Sequence, residues 1–149
     1  VEMKNDVRDT PYLIECELIS PFARLQPGES YSWRYEWYAC NVGGALPVRD
    51  CNAFGVISEP LATHRSGTKV RLNGRFGVFQ PGAAQVQFLD ASGQTLGFGK
   101  LRASASPLAP LILNAQEDLP ENAAAVALSL QSETGQALGE LARAKIQSQ

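Results

Sequence analysis

The chain has 149 residues, of which 44% are hydrophobic and 19% charged, and a formal net charge of −2. That length suits one domain, or one domain carrying a substantial extra piece, and no run of about 18 apolar residues offers a membrane-spanning helix. With near-neutral charge and no Lys/Arg cluster, neither a nucleic-acid groove nor an anionic membrane surface is expected as partner.

In chain order, the opening "VEMKNDVRDTPYLIE" has no initiator Met and no charged-then-apolar leader. This is the expectation for an excised domain or a processed product. The compartment is left open between periplasmic or extracellular and cytoplasmic. "YLIECELI" (12–19) alternates, with Ile14, Cys16 and Leu18 on one face and Glu15 and Glu17 on the other. After the turn-rich "SPFARLQPGES", the stretch "YSWRYEWYACNV" (31–42) places Tyr31, Trp33, Tyr35 and Trp37 at every second position. The two runs are expected to pair as an antiparallel hairpin, since a Pro-Gly-containing connection of this length joins neighbouring strands. Each large ring removes about 150–250 Å² from water when buried, so the favoured reading turns the aromatic row toward a core. Two other readings are a contact with a second copy or an upstream domain, and a carbohydrate-stacking platform.

From Gly43 to Gly67 two prolines and four glycines interrupt any pattern, which predicts a long irregular connection. Residues 1–67 are therefore read as hairpin plus connection, and residues 68–149 as a second unit. There, "TKVRLNGRFGVFQPG" (68–82) holds one or two strands, "AAQVQFLD" (83–90) turns into "QTLGFGKLRAS" (94–104), and "PLAPLILN" (107–114) suits an edge strand. "NAAAVALSLQS" (122–132) turns at "ETG" into "QALGELARAKI" (136–146). By propensity this Ala-rich end competes as helix. A near-repeat favours strands: Gly-Gln-x-Leu-Gly recurs at 93–97 and 135–139, placing Gly93 and Gly135 where a hairpin turn wants positive φ. The expected class is all-β, an immunoglobulin-like antiparallel sandwich with an N-terminal β-hairpin and a long connection.

Chemistry-bearing residues are sparse. Cys16, Cys40 and Cys51 form no CxxC pair and His64 is the single histidine, so no zinc site is expected. The cysteines read as small buried thiols, although Cys40 and Cys51 bracket a loop that a disulfide would close in an oxidising compartment. His64 lies in a presumptive loop beside Arg65 and reads as a solvated side chain. Ser58, Ser66 and Ser106 have no Gly-x-Ser-x-Gly context, the glycine-containing "GRFGVF" and "GFGKL" lead into no helix, and "LDASG" offers one acid, too few for calcium. No cofactor or metal is called for. Glu15 and Glu17, with Arg34 and Glu36 on the polar face of the expected neighbouring strand, are the candidate polar site; the plainer reading is a cross-strand ion pair on a solvated face.

Glu15 in "LIECE" followed by "LQPGESYSWRYEW" resembles the last hairpin of galactose-mutarotase-like (aldose epimerase-like) β-supersandwich proteins, over about 30 residues of this chain. In its "ELISPFARLQPGES" wording the stretch is closer to uncharacterised epimerase-like proteins than to true mutarotases. The resemblance implies a large sandwich binding a sugar on a concave face, a carboxylate as general base and histidines as acid partners. Only Glu15 carries over, with Glu17 as its rival in register, while Arg34 and Glu36 become candidate substrate contacts. On that basis residues 68–146 are an appended immunoglobulin-like module. The leading functional expectation is a non-catalytic accessory region of a carbohydrate-active protein. The alternatives are an epimerase fragment contributing Glu15, and a structural or protein-interaction module using the aromatic strand.

Overall fold

The computed structural model describes residues 17–44 and 46–147, and the chain divides between Trp37 and Tyr38 into two compact units. The second unit is all-β. Its strands are β1 (Asp50–Asn52), β2 (Gly55–Ser66), β3 (Lys69–Val78), β4 (Gly82–Leu89), β5 (Thr95–Ala105), β6 (Leu111–Asp118), β7 (Ala125–Ser132) and β8 (Ala137–Lys145). They form two antiparallel four-stranded sheets, ordered β1-β2-β3-β6 and β5-β4-β7-β8.

Alternation sets which face of each strand turns inward. In β3, Val70, Leu72 and Phe76 are fully buried while Lys69, Arg71 and Asn73 are exposed. Ala84, Val86 and Phe88 of β4 and Val126, Leu128 and Leu130 of β7 supply the opposing layer. Period-2 patterning with one dry face is what packs two sheets together. The Ala-rich C-terminal stretch obeys the same rule and forms β7 and β8 rather than helix. As expected, "PLAPLILN" leads into an edge strand, β6.

Residues 43–67, expected as an irregular connection, instead supply β1 and β2 of the first sheet. The reason lies in a bulge: Glu59 pairs with Arg75 and Ala62 with Asn73, so Pro60 and Leu61 together oppose Gly74. Proline needs no ladder donor there. It breaks the sequence pattern without breaking the strand.

The near-repeat is a structural repeat. At the β4–β5 turn the Asp90 N–H donates to Gln94 O and the Gly93 N–H to Asp90 O (2.9 and 3.1 Å). At the β7–β8 turn the Ser132 N–H donates to Gln136 O and the Gly135 N–H to Ser132 O (2.8 and 2.9 Å). Side chains repeat too: Asp90 Oδ1 accepts from the Ser92 N–H, the Ser92 hydroxyl and the Gln94 N–H, while Ser132 Oγ accepts from the Gln136 N–H and is bonded to the Thr134 hydroxyl. Gly93 and Gly135 have φ of 86° and 83°.

Side chains also close the seams between the sheets. Gln85 pairs with Arg102 but Gln87 with Phe98, so Gly99, Lys100 and Leu101 bulge out opposite Val86 alone. The Glu117 carboxylate, on β6 and only 5% exposed, accepts the Lys100 N–H at Oε2 (2.8 Å) and the Leu101 N–H at Oε1 (2.7 Å). A Cβ on Gly99 would lie 3.0 Å from both the Glu117 carboxyl carbon and Val86 Cβ, a tight approach that glycine relieves. At the other seam the Asn52 amide donates to Leu141 O (2.9 Å) and Glu140 O (3.3 Å) beside a bulge in β8, and the Thr63 hydroxyl donates to Lys145 O (2.8 Å).

Two expectations follow for urea unfolding. Glu117→Ala should lower the unfolding free energy by about 2–4 kcal/mol, because two N–H groups lose their acceptor and a void opens; Glu117→Gln, keeping one acceptor oxygen, should lose less. Gly93→Ala and Gly135→Ala should each cost about 1 kcal/mol from the left-handed backbone alone, and add in the double variant because the turns lie at opposite ends of the sheet.

Candidate functional site

The first unit carries the residues that drew attention in the sequence. Gln26-Pro27-Gly28-Glu29 forms a turn in which the Glu29 N–H donates to Gln26 O (3.0 Å) and Gly28 has φ of 89°, the geometry in which Pro and Gly occupy the two central places. The Glu29 carboxylate accepts the Gln26 N–H in return (2.9 Å). The "PGE" motif therefore builds a real turn. Residues 17–42, which include the whole second arm of the hairpin expected around it, contain no strand. Residues 12–16 of its other arm, including Glu15 and Cys16, lie outside the described residues.

The alternation of Tyr31, Trp33, Tyr35 and Trp37 does bring the rings together. Trp33 and Tyr35 have ring centroids 4.8 Å apart and Tyr35 and Trp37 6.2 Å apart, tilted by 38° and 55°. The expected burial is not met: the four residues are 46%, 37%, 51% and 54% exposed in chain order. Alternation orders the side chains of one extended segment, but only a facing apolar layer removes rings from water. Successive ring planes differ by tens of degrees, so the row is not one flat platform.

Glu17, Arg34 and Glu36 are exposed. No ladder among the described residues of this unit places Glu17 opposite Arg34 or Glu36, which is the arrangement a two-carboxylate site on a hairpin requires.

In the second unit, Tyr38 stacks on Phe79 at 4.7 Å and 17°. Asn41 then ties the chain to the loop before β6: its N–H donates to Pro107 O (2.8 Å), its side-chain amide to Leu108 O (3.1 Å), and its Oδ1 accepts the Gly43 N–H (2.7 Å). His64 is in a strand rather than a loop, opposite Arg71 on the polar outer face of the first sheet.

Ionisable groups whose proton affinity is shifted are engaged in holding the fold. The Ser92 hydroxyl, followed by the Gln94 N–H, holds the Asp90 carboxyl below its usual range. Lys100 and then Lys69 do the same for Asp118, with ion pairs of 2.6 and 3.2 Å, and Asp118 in turn raises Lys100. Glu140, paired with Arg143 at 2.6 Å, pushes the Arg143 guanidinium further up. Burial, and then the nearby Cys51, push the Cys40 thiol up. Among the described residues no group of three or more His, Cys, Asp or Glu is placed to hold a metal ion.

Glu117 and Asn52 were not singled out by sequence reasoning. Their roles depend on bulges in strands 16 and 89 residues away, for which only Gly99 in "GFGKL" gives a local sign. No family model matches the chain, and neither a curated protein nor a solved structure matches it.

Since both tryptophans are exposed, acrylamide should quench the emission of the native chain nearly as efficiently as that of the urea-unfolded chain. Strong protection in the native state would show that the rings are covered.

Proposed function

We propose that this chain is a non-catalytic accessory region of a carbohydrate-active, aldose-epimerase-like protein, in which an immunoglobulin-like sandwich follows the final hairpin of a larger β-domain. The observation that carries the reading is the aromatic segment. Its polar and ring side chains alternate as in a strand, its "PGE" turn is formed, and its rings are exposed within a unit separate from the sandwich. A soluble chain seldom leaves several hundred Å² of contiguous apolar surface without a partner. A neighbouring β-layer is the partner that an alternating segment fits. The resemblance of "LIECE" and "LQPGESYSWRYEW" to the last hairpin of aldose epimerase-like proteins supplies the carbohydrate-active context.

The immunoglobulin-like type is supported by strand order. Reading β2, β3, β4, β6, β7 and β8 as strands A, B, C, E, F and G reproduces the pairings A–B–E and C–F–G of that architecture. β5 then stands beside β4, where variable-type domains place C′. The accessory role is supported by the use made of polar side chains: Glu117, Asn52 and Asp90 bond to backbone and hold seams and turns.

A polarimetric assay tests the reading. Freshly dissolved galactose or glucose should mutarotate at the buffer rate in the presence of the chain. Acceleration abolished by Glu15→Gln would establish the enzyme-fragment reading instead. The exposed rings also favour a protein-interaction module: a dimer seen by light scattering, and lost in Trp33→Ala with unchanged circular dichroism, would establish that alternative.

A further inference from the structure

We propose that the outer face of the first sheet binds an acidic polysaccharide, with Arg71 receiving a uronate carboxylate. The face lies wholly within the second unit and uses neither the aromatic segment nor Glu15, so it stands whichever result the polarimetric test gives.

Strand register builds the face. Gln116, Arg71 and His64 are paired straight across β6, β3 and β2, and Asn114, Asn73 and Ala62 form the next row. Directly opposed residues send their side chains to the same face of a sheet, and all six are exposed. With strands about 4.8 Å apart and alternate residues about 7 Å apart, the rows form a continuous surface rather than scattered points. Around Arg71, the side chains of His64, Ser66 and Gln116 line a pocket of about 270 Å³.

The polar groups of this face are uncommitted. Among the described residues, none of the side chains of His64, Arg71, Asn73, Asn114 and Gln116 has a hydrogen bond or ion pair within the chain. On the outer face of the second sheet the opposite holds. There the Gln87 amide donates to Thr95 Oγ1 and accepts from the Ser129 hydroxyl (2.9 Å), and the Arg102 guanidinium donates to Gln131 Oε1 (3.1 Å). A ligand on the first sheet therefore displaces only water, whereas one on the second must compete with bonds already made.

Charge selects the ligand. Arg75 is paired with Glu59 (3.1 Å), and Asp118 is shared by Lys69 and Lys100 (3.2 and 2.6 Å). Arg71 lies between these groups with no acid partner, so the face is positive in a chain whose net charge is −2. A guanidinium grips a carboxylate through two parallel N–H donors. The neighbouring amides of Asn73, Asn114 and Gln116 offer both donors and acceptors, as sugar hydroxyls require. One unpaired guanidinium suits carboxylates spaced by sugar rings better than the contiguous phosphates of a nucleic acid. An acidic peptide is the poorer fit: Ile112 is the one large apolar side chain that β2, β3 and β6 expose, which leaves no apolar pocket to anchor a peptide side chain.

Affinity electrophoresis of the intact chain at low salt tests the assignment. A native gel containing polygalacturonate should retard the chain, while gels containing a neutral galactan or polyglutamate should not. Arg71→Ala should raise the dissociation constant for polygalacturonate about tenfold or more, the loss expected for a hydrogen bond to a charged group. Asn73→Ala combined with Asn114→Ala should raise it severalfold. These side chains hold no bond in the fold, so the variants should keep the circular dichroism and melting temperature of the wild type. Arg102→Ala, on the other sheet, should bind like the wild type. The proposal is overturned by migration unaffected by polygalacturonate, by equal retardation in the neutral galactan or polyglutamate gel, by full retardation of Arg71→Ala, or by an equal loss in Arg102→Ala.

Discussion

The sandwich depends on a carboxylate placed where a β-ladder fails. Between Gln85 and Gln87 the β4–β5 register slips, leaving three residues of β5 opposite one of β4. Two of the resulting N–H groups turn toward the other sheet and find the Glu117 carboxylate there, one on each oxygen. A buried carboxylate with no donors is strongly unfavourable, and so are buried N–H groups with no acceptor. Each resolves the other, and in doing so joins an edge strand of one sheet to an edge strand of the other. Charge-assisted bonds of this kind are among the stronger hydrogen bonds in proteins.

The opposite seam solves the same problem with neutral groups. β8 carries a bulge at Leu141, and Asn52 spans to it while its own Oδ1 accepts the Phe54 N–H (2.9 Å). The Phe54 ring occupies the space that a side chain at Gly139 would take. Thr63 adds a third bond further along β8. Bulges in β5 and β8 therefore account for both seams, and the short strand β1 belongs to the fold because it delivers Asn52.

The polar surface is spent differently in the two units. In the sandwich, Asp90, Asp118 and Glu140 are each paired at a turn, between strands or along a strand. In the first unit the rings of Tyr31, Trp33, Tyr35 and Trp37 are exposed, as are Ile19 and Phe22.

What the amino-acid sequence determined by itself was local. Turn spacing marked β3 and β4, and the repeated Gly-Gln-x-Leu-Gly marked β7 and β8 as strands and two turns of one design, because turn chemistry and the sign of φ are properties of a few consecutive residues. The "PGE" turn was legible for the same reason. What only the tertiary structure decided was opposition. Pro60 hid β2 because a bulge is visible only against the partner strand. Glu117 gave no local sign of its role, which needs β5 placed beside it. The aromatic row was expected to be buried because alternation orders rings, yet burial needs a second layer, and no strand among the described residues of its unit faces it. Register and burial are relations between distant residues, so pattern alone does not carry them.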